Sequence, residues 1–459
     1  LLPLAVSLIY GESCSLSFVI SAAAAAVVGG ALKFFCRSDS KNLYTRDGLA
    51  IVALSWIGIS LFGALPFVIS GSIPSFIDAF FETVSGFTTT GASILTDVEA
   101  LSHGLLFWRS FTHWVGGMGV LVFIMAVMEK TPERSVNILR AEMPGHNVDK
   151  LTPRASGTAK ILYYIYLALT VLETVLLLCG GMPLFDSIVH ALGTAGTGGF
   201  GIKADSIASY SHFCQWVITV FMLLFGVSFN MYYLLLIKRW REVLKSNELK
   251  CYLGISLAAM IIVVLSIMPL YGSIADAVRL SAFQVSSIVT TTGYATADFD
   301  AWPSLAKTVL LILMFFGGCM GSTAGGLKMS RVTVLAQIAR NDLRHALRPR
   351  EVSTVILNGR RVDAQGERQI LSYFALYIAV IGAVFLLISF EPFGIETNFS
   401  ATVSCVNNIG PGFGQVGPSL SYADYSAFSK LVLSFAMLLG RLEIYPLLLL
   451  LSPQLWTKR

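Results

Sequence analysis

The chain has 459 residues, of which 55% are hydrophobic and 13% are charged, and its mean hydropathy is +0.72. Ordinary soluble domains carry about 25% charged residues, so this composition excludes a soluble globular protein and indicates an integral membrane protein. The formal net charge is +5, and the basic residues that produce it are clustered along the chain.

The first unit in chain order is predicted to be an N-terminal membrane hairpin, residues 1–46, with apolar segments at Leu4–Tyr10 and Phe18–Leu32. The chain does not begin with Met, so we interpret its start as trimmed and not as a cleaved signal peptide. Further apolar segments follow, most of them near the ~20 residues that cross about 30 Å of hydrocarbon. They are Ile51–Ile69, Leu105–Met128, Ile161–Cys179, Trp216–Ile237, Leu253–Leu270, the shorter Thr308–Met320, Leu371–Phe390 and Leu431–Leu451.

Four short glycine-containing loops recur along this apolar chain: Thr88–Gly91, Ala195–Gly198, Thr290–Gly293 and Asn407–Gly410. Their final glycines lie about a hundred residues apart, which indicates an internal repeat. Each loop follows a predicted half-helix that is too short to cross a membrane: Pro74–Thr88, Pro183–Thr194, Ile274–Val289 and Gly394–Val406. The position six residues before the final glycine of each loop holds serine in three repeats and leucine in the second. These residues are Ser85, Leu192, Ser287 and Ser404.

Each repeat is therefore predicted to run helix, half-helix, glycine loop, helix. The predicted units are residues 47–150 (repeat 1), 151–247 (repeat 2), 248–366 (repeat 3, with an intramembrane loop and a cytosolic linker) and 367–459 (repeat 4). Polar backbone at membrane depth must be buried in protein or line a water-filled path. Four such loops at one axis would form a ring of carbonyl groups like those that replace the hydration shell of a cation in channels. The alternative is that Thr and Gly serve close helix packing, but four copies favour the ion path.

The clustered charges predict the orientation of the chain. Lys and Arg are dense at residues 33–46, 130–160, 238–250, 331–368 and 458–459. The positive-inside rule makes these segments cytoplasmic, so all four glycine loops are predicted to enter from outside. The outer connections carry acids, among them Asp78, Asp97, Asp186, Asp300 and Asp424. They predict an acidic vestibule that concentrates cations, unless they are ordinary solvated loop residues.

A glycine-rich stretch interrupts the apolar segment of the third repeat. Residues 317–326 include five glycines, and each glycine costs a helix about 1 kcal/mol relative to alanine. This stretch is predicted to be a loop beneath the ring of glycine loops that acts as a movable gate, and a plain helix kink is the alternative. The predicted gate residues are Gly317, Gly318, Gly321, Ser322, Thr323, Gly325, Gly326, Lys328 and Arg441. Taken on its own, Lys328 is better explained as a snorkelling residue than as a ligand.

Arg441 is the single cation in the apolar run Leu431–Leu451, and the nearby Glu443, two positions further on, would not share its helix face. A guanidinium inside a membrane helix costs at least ~2.5–3.5 kcal/mol and almost always faces a cavity or a partner. We predict that Arg441 projects into the pore and raises the barrier to a cation. A structural salt bridge to another helix is the competing interpretation.

The loops and their flanks resemble a known family. TTTGAS after FFETVSGF, TAGTGGFGIK, TTTGYATADFDAWP, GGCMGSTAGGLK and the closing GRLEIYPLL are similar to the Trk/Ktr/HKT superfamily of cation transporters, across essentially the whole chain. The resemblance implies an all-α membrane protein with four M1-P-M2 repeats (outer helix, pore helix, inner helix) in pseudo-fourfold symmetry around a single pore. It also implies a homodimer, a cytosolic nucleotide-binding regulatory subunit of the TrkA type, and contact between Arg441 and the loop at 317–326.

The resemblance places a selectivity filter at the glycine loops, with potassium as the transported ion and no cofactor. The predicted ion-binding residues are Thr89, Thr90, Gly91, Gly196, Thr197, Gly198, Thr291, Thr292, Gly293, Asn408, Ile409 and Gly410. Relatives with serine in place of the first filter glycine tend towards sodium, so four glycines favour potassium. Only two loops read TTTG, and NNIG lacks hydroxyls. We therefore expect weaker discrimination among monovalent cations than in tetrameric potassium channels.

The predicted function is potassium uptake across the bacterial cytoplasmic (inner) membrane. A sodium- or proton-coupled potassium symporter and a less selective potassium/sodium transporter stay open as alternatives. The sequence shows no phosphate-binding loop, metal cluster or nucleophile with an attendant base, so neither an enzyme nor an ATP-driven pump is expected, and no nucleic-acid partner is expected. The basic linker 341–366 is interpreted as a topology signal that contacts anionic lipid, or as a docking surface for the regulatory subunit.

Overall fold

The computed structural model describes residues 1–35, 45–119, 155–351 and 353–456. Within these residues nearly all regular structure is helical, and the strands are β1 (Ile356–Leu357) and β2 (Arg360–Arg361), which pair antiparallel. Five described helices are long and apolar enough to cross a membrane, and one further pair of helices passes the same test together although it is bent by 91°. The predicted all-α membrane fold is confirmed.

The helices are numbered from α1 in chain order. The N-terminal unit and repeat 1 contain α1 (Leu2–Ile9), α2 (Ser15–Phe35), α3 (Thr45–Ile69), α4 (Phe76–Phe87) and α5 (His103–Gly117). Repeat 2 contains α6 (Ala155–Cys179), α7 (Leu184–Gly196), α8 (His212–Phe225), α9 (Phe229–Leu236) and α10 (Trp240–Lys245). Repeat 3 contains α11 (Asn247–Ile267), α12 (Ile274–Val289), the 3-10 turn Phe299–Ala301, α13 (Ser304–Leu313) and α14 (Met329–Leu347). Repeat 4 contains α15 (Ala364–Ile388), α16 (Ile395–Asn407), the 3-10 turn Gly414–Val416, α17 (Ala427–Arg441), α18 (Tyr445–Leu450) and α19 (Pro453–Trp456).

The helix that opens each repeat can span the bilayer. Helices α3, α6 and α15 have 25 residues each and α11 has 21, and at 1.5 Å per residue 21 residues extend about 31 Å. Each also exposes large apolar side chains, such as Leu172, Leu257 and Leu386. Lipid tails are the natural neighbours of such faces. Helix α1, with eight residues, is too short to span.

The pore helices α4, α7, α12 and α16 have 12, 13, 16 and 13 residues. They are the predicted half-helices, and their bounds lie within two residues of the predicted ones. Helix α4 begins after Ser75, whose hydroxyl accepts the Asp78 N–H at 3.4 Å, which satisfies one of the N–H groups left open at a helix start. The C-terminal part of each pore helix is buried, so all four helices end inside the protein.

The inner helix of repeat 2 departs from the prediction. The run Trp216–Ile237 is predicted as one span, but α8 and α9 meet at an angle of 91° around Gly226. A Cβ on Gly226 would lie 2.4 Å from the hydroxyl oxygen of Tyr252, so the break brings the backbone against α11. The sequence conceals this break because the residues on both sides of it are apolar.

The inner helix of repeat 4 is also interrupted. The run Leu431–Leu451 is predicted as one span, but α17 ends at Arg441 and α18 begins only at Tyr445. Between them Glu443 and Ile444 take positive φ angles of 52° and 69°, which end the helix because non-glycine residues rarely continue through that region. The inner helix of repeat 1, predicted as Leu105–Met128, is described only to Gly119.

Several sequence predictions fall wholly or partly outside the described residues. They are the basic clusters at 33–46, 130–160 and 458–459, and the predicted boundary between repeats 1 and 2 at residue 150. These remain predictions.

Candidate ion filter and inner loop

The four loops share one backbone conformation although their sequences differ. One residue just after each pore helix has a left-handed φ between 55° and 57°. These residues are Thr89, Thr197, Thr291 and Asn408. Two residues later a glycine has a positive φ in every loop: Gly91 (79°), Gly199 (79°), Gly293 (84°) and Gly410 (104°). Non-glycine residues seldom adopt this left-handed φ, so four copies of the pattern establish structural equivalence of the loops.

This equivalence corrects the sequence alignment of repeat 2 by one residue. The glycine that matches Gly91 is Gly199, and Gly198 matches Thr90. Hydrogen bonds agree, because the N–H of Gly198 donates to the carbonyl of Gly193 at 2.9 Å just as that of Thr90 donates to Ser85 at 2.9 Å. The equivalent of the repeated serine is therefore Gly193, not Leu192. Because residues 196, 198 and 199 are all glycine, the sequence alone matched the wrong one to Gly91. We call Thr88–Gly91, Gly196–Gly199, Thr290–Gly293 and Asn407–Gly410 the filter loops.

The filter loops close into a ring. A Cβ built on Gly91 would lie 2.1 Å from the carbonyl oxygen of Gly198 in repeat 2. A Cβ on Gly199 would likewise lie 2.0 Å from the Thr292 carbonyl oxygen, and one on Gly293 would lie 2.1 Å from that of Ile409. A Cβ on Gly410 would lie 2.6 Å from the carbonyl oxygen of Thr90, back in repeat 1. Each repeat therefore packs its glycine against the carbonyl of the next repeat, and repeat 4 meets repeat 1. A side chain at any of the four glycines would occupy that contact.

The ring has the chemistry of a cation site. Within the described residues no hydrogen-bond donor reaches the carbonyl oxygens of Thr90, Gly198, Thr292 and Ile409. Buried carbonyl groups normally have a partner, and a dehydrated cation is a suitable one. The four pore helices end at the ring, so their partly negative C-terminal ends add a field that favours a cation.

An outer cavity of about 270 Å³ lies on one side of the ring, and its lining includes Gly91, Gly199, Gly293 and Gly410. The predicted acidic vestibule is wrong for this cavity. Among the described residues, its charged lining is one acid, Asp424, with Arg109 and Lys203. Two of the predicted acids are neutralised, since Asp78 pairs with the distant Lys430 at 2.7 Å and Asp300 pairs with the nearby Lys307 at 2.8 Å.

The loop between α13 and α14 lies against the ring, and we call Gly317–Lys328 the inner loop. The N–H of Gly325 donates to the hydroxyl of the filter residue Thr291 at 2.6 Å. A Cβ on Gly325 would lie 2.5 Å from the Asn407 carbonyl oxygen, so the inner loop crosses close beneath repeats 3 and 4. The break between α8 and α9 holds the loop from the side: Cys319 N–H donates to the Gly226 carbonyl at 2.8 Å.

Arg441 connects the inner loop to repeat 1. Its guanidinium donates to the Thr323 carbonyl at 2.8 Å, to the Gly117 carbonyl at 2.6 Å, and also to the Gly116 carbonyl. It reaches the hydroxyl of the filter residue Thr89 at 3.2 Å. The structure thus brings the predicted residues Arg441 and Thr323 together directly under the filter.

An inner cavity of about 60 Å³ remains on this side, and its lining includes the inner loop, Lys328, Arg441 and Glu443. The Lys328 ammonium donates to the Ala324 carbonyl within the loop. The two basic side chains therefore lie beside the narrow space between the filter and the inner side of the molecule. Both positive charges oppose the entry of a cation there, and the acid that also lines this cavity, Glu443, is already paired with Arg331.

Comparison with known proteins identifies the family. The TrkH family model, described as a cation transport protein, matches residues 15–458 of this chain. The chain belongs to the TrkH family. It is 33% identical to the Trk system potassium uptake protein TrkG of Escherichia coli strain K12 over 465 residues, covering 99% of this chain and 94% of that protein. It is 34% identical to TrkH of the same strain over 462 residues, covering 99% and 95%.

A solved structure supports the same assignment. The crystal structure of the potassium transporter TrkH from Vibrio parahaemolyticus matches with a TM-score of 0.89 at 33% identity, covering 99% of this chain and 95% of that chain. The resemblance found from the sequence motifs is therefore confirmed, and the chain is a multi-pass membrane protein of a transporter family.

Two buried side chains at this TrkH-family site are absent from the sequence predictions. Glu248 on α11 accepts the N–H groups of Met320 at 2.6 Å and Ser330 at 3.1 Å, so one carboxylate oxygen holds the inner loop and the start of α14. His113 on α5 contacts the end of the first pore helix, at Gly86, and the second filter loop, at Gly196 and Gly198. Neither belongs to a local motif. The sequence signal for Glu248 was an acid at the start of an apolar segment. The signal for His113 was the unusual glycine content of the second loop, against which it packs.

Proposed function

We propose that this chain carries potassium into a bacterial cell across the cytoplasmic membrane, through the ring of filter loops. The observation that carries the proposal is the cyclic packing of four equivalent loops, with each glycine against the carbonyl of the next repeat. The TrkG and TrkH relatives are named potassium uptake proteins, and the four filter glycines favour potassium. In this proposal the loops face outside, and the ion passes from the outer cavity through the ring.

A carboxylate-coupled carrier is less well supported. Such transporters place ionisable groups at the substrate site near the middle of the bilayer. Glu443 lines the inner cavity but is already paired with Arg331. Glu173, within the outer span α6, is fully buried and lines neither the outer nor the inner cavity. A proton or sodium ion bound there would not share the path of the transported ion.

We propose that the inner loop is the gate. Arg441, Glu248 and the α8–α9 break hold it in place, and the narrow inner cavity beneath the ring is consistent with a closed path. Five glycines in Gly317–Gly326 leave its backbone few barriers to another conformation. Release of these anchors would open the space below the filter.

Release of the Glu248 anchor is expected to open the gate. In Glu248→Ala the N–H groups of Met320 and Ser330 lose their acceptor, and each unpaired buried group costs about 1–3 kcal/mol. We expect a higher basal potassium flux in liposomes that contain the purified variant alone. Glu99→Ala is the matched control, since Glu99 is exposed and accepts one backbone N–H, from Ala204 at 3.1 Å. Wild-type flux from a Glu248→Ala protein of normal melting temperature would count against an anchoring role.

We propose that a cytosolic nucleotide-binding subunit of the TrkA type acts on this gate, and that the chain forms a homodimer. Exposed arginines near the end of α14 and on the β1–β2 hairpin offer a surface for an acidic partner: Arg344, Arg348, Arg350, Arg360 and Arg361. In the hairpin turn, the side-chain oxygen of Asn358 accepts the Ser246 hydroxyl at 2.9 Å. Ser246 caps α11, which carries Glu248, so a contact path runs from the hairpin to the inner loop.

The proposed function is tested by ion uptake into liposomes that contain the purified chain. Potassium uptake down an imposed gradient, with slower sodium uptake under the same driving force, is the expected result. Equal uptake of the two ions would favour the less selective transporter. Uptake that required a proton or sodium gradient would favour a coupled symporter.

A further inference from the structure

The second filter loop lacks a feature that the first and third loops share. In repeat 1 the hydroxyls of Thr88 and Thr90 lie 2.8 Å apart, and in repeat 3 those of Thr290 and Thr292 also lie 2.8 Å apart. Each pair links the end of a pore helix to the ring residue whose carbonyl meets the neighbouring glycine. The equivalent positions in repeat 2 are Gly196 and Gly198, so this loop has no hydroxyl pair.

His113 of repeat 1 lies where side chains at these two positions would be, with its ring against Gly198 and its main chain against Gly196. A Cβ on Gly198 would lie 2.2 Å from Cγ of the His113 ring, and a Cβ on Gly196 would lie 2.3 Å from the His113 carbonyl oxygen. Neither glycine has a positive φ, in contrast to Gly199. Backbone conformation therefore does not require glycine at 196 or 198. Glycine is required at both positions because His113 leaves no room for a side chain.

His113 is fully buried, and both of its ring nitrogens are used. Nδ1 lies 2.7 Å from the Gly86 carbonyl oxygen, near the end of the repeat 1 pore helix, and so it carries the proton. Nε2 accepts the N–H of Phe200 at 3.3 Å, immediately after the second filter loop. The imidazole also stacks against the Phe200 ring, with centroids 4.2 Å apart. One neutral ring thus connects the first pore helix to the second filter loop.

We propose that His113 is a specificity-determining positioning residue, whose imidazole takes the place of a threonine side chain at position 198 and fixes the Gly198 carbonyl in the ring. This inference rests on the proposed potassium transport through the ring. His113 does not touch the ion path in this proposal, and it acts through the position of the Gly198 carbonyl.

The test compares potassium and sodium uptake, measured separately in liposomes, for three variants. In His113→Ala the potassium-to-sodium ratio is expected to fall by roughly an order of magnitude, since small displacements of positioned groups have effects of at least that size. Gly198→Thr alone is expected to lose potassium flux, because its side chain collides with the imidazole. The double variant His113→Ala with Gly198→Thr is expected to recover part of the ratio, because threonine then occupies the space left by the ring. Such non-additivity is the signature of two residues in contact.

His190→Ala is the control for loss of a buried imidazole. His190 lies in the middle of the second pore helix, outside the filter loops, and its Nδ1 donates to the Asp186 carbonyl at 2.8 Å. We expect His190→Ala to keep the wild-type ratio. A wild-type ratio in stable His113→Ala protein, or a double variant no more selective than His113→Ala, would overturn the inference. Failure of the wild type to take up potassium would instead refute the proposed function.

Discussion

Replacement of Gly91 by serine is expected to lower potassium flux and to shift ion preference from potassium towards sodium. Gly91 has a φ of 79°, and its Cβ would lie 2.1 Å from the Gly198 carbonyl oxygen. A non-glycine residue in a left-handed conformation costs about 1–2 kcal/mol, and the clash must in addition displace a ring carbonyl. Uptake of each ion into liposomes measures the change in preference.

Gly71→Ser separates the conformational cost of a left-handed serine from the clash with a ring carbonyl. Gly71 has a similar φ of 74°, but a Cβ there meets nothing within 4 Å. This variant therefore carries the conformational cost without the clash. We expect a lower melting temperature with an unchanged ratio of potassium to sodium uptake. An unchanged ratio in Gly91→Ser as well would mean that the ring does not select the ion.

Neutralisation of Arg441 is expected to raise potassium flux. A unit charge ~6 Å from a potassium ion, at an effective dielectric constant of about 20, repels it by ~3 kcal/mol. Fully expressed at the barrier, this corresponds to about two orders of magnitude in rate, and screening by water and carbonyl groups reduces it. Arg441→Gln also loses the bonds to Gly117 and Thr323 that hold the inner loop. Both changes act in the same direction, towards conduction.

Arg441→Lys is the matched control, because it keeps the charge and loses the branched guanidinium. Flux near the wild-type value in Arg441→Lys, with higher flux in Arg441→Gln, would assign the barrier to the charge. High flux in both would assign it to the bonds that guanidinium makes with the loop. Reduced flux in Arg441→Gln protein with a normal melting temperature would refute the barrier role.

The half-helices and glycine loops could be predicted because their signals are local. A short apolar segment that begins near a proline or serine and ends at a small polar loop has few other interpretations at membrane depth. The positive φ at Gly91 and Gly293 likewise matches a residue type that tolerates it. The family resemblance rests on the same local motifs.

The register of the second loop could not be predicted, because Gly196, Gly198 and Gly199 offer several equivalent matches to a single glycine. Only the contact with His113 explains why two of them are glycine. That contact joins residues far apart in sequence and in different repeats, so no local pattern contains it.

Long-range pairing also explains the failed expectation of an acidic vestibule. Asp78 is neutralised by Lys430, 352 positions further along the chain. The breaks in the inner helices of repeats 2 and 4 could not be predicted for another reason, because the apolar sequence continues on both sides of each break. At the α8–α9 break the inner loop satisfies the freed Gly226 carbonyl, whereas at the break after Arg441 the N–H of Ile444 pairs locally with the Leu439 carbonyl.

The most direct test of conduction through the ring is the reversal potential of ion flux through the purified chain in liposomes. If the ring of carbonyls conducts potassium as a passive path, the reversal potential should follow the potassium gradient, by about 59 mV for each tenfold change in the ratio. It should not move when a pH gradient or a sodium gradient is imposed at a fixed potassium gradient. A reversal potential that shifts with the proton or sodium gradient to the extent expected for fixed coupling would contradict a passive potassium path.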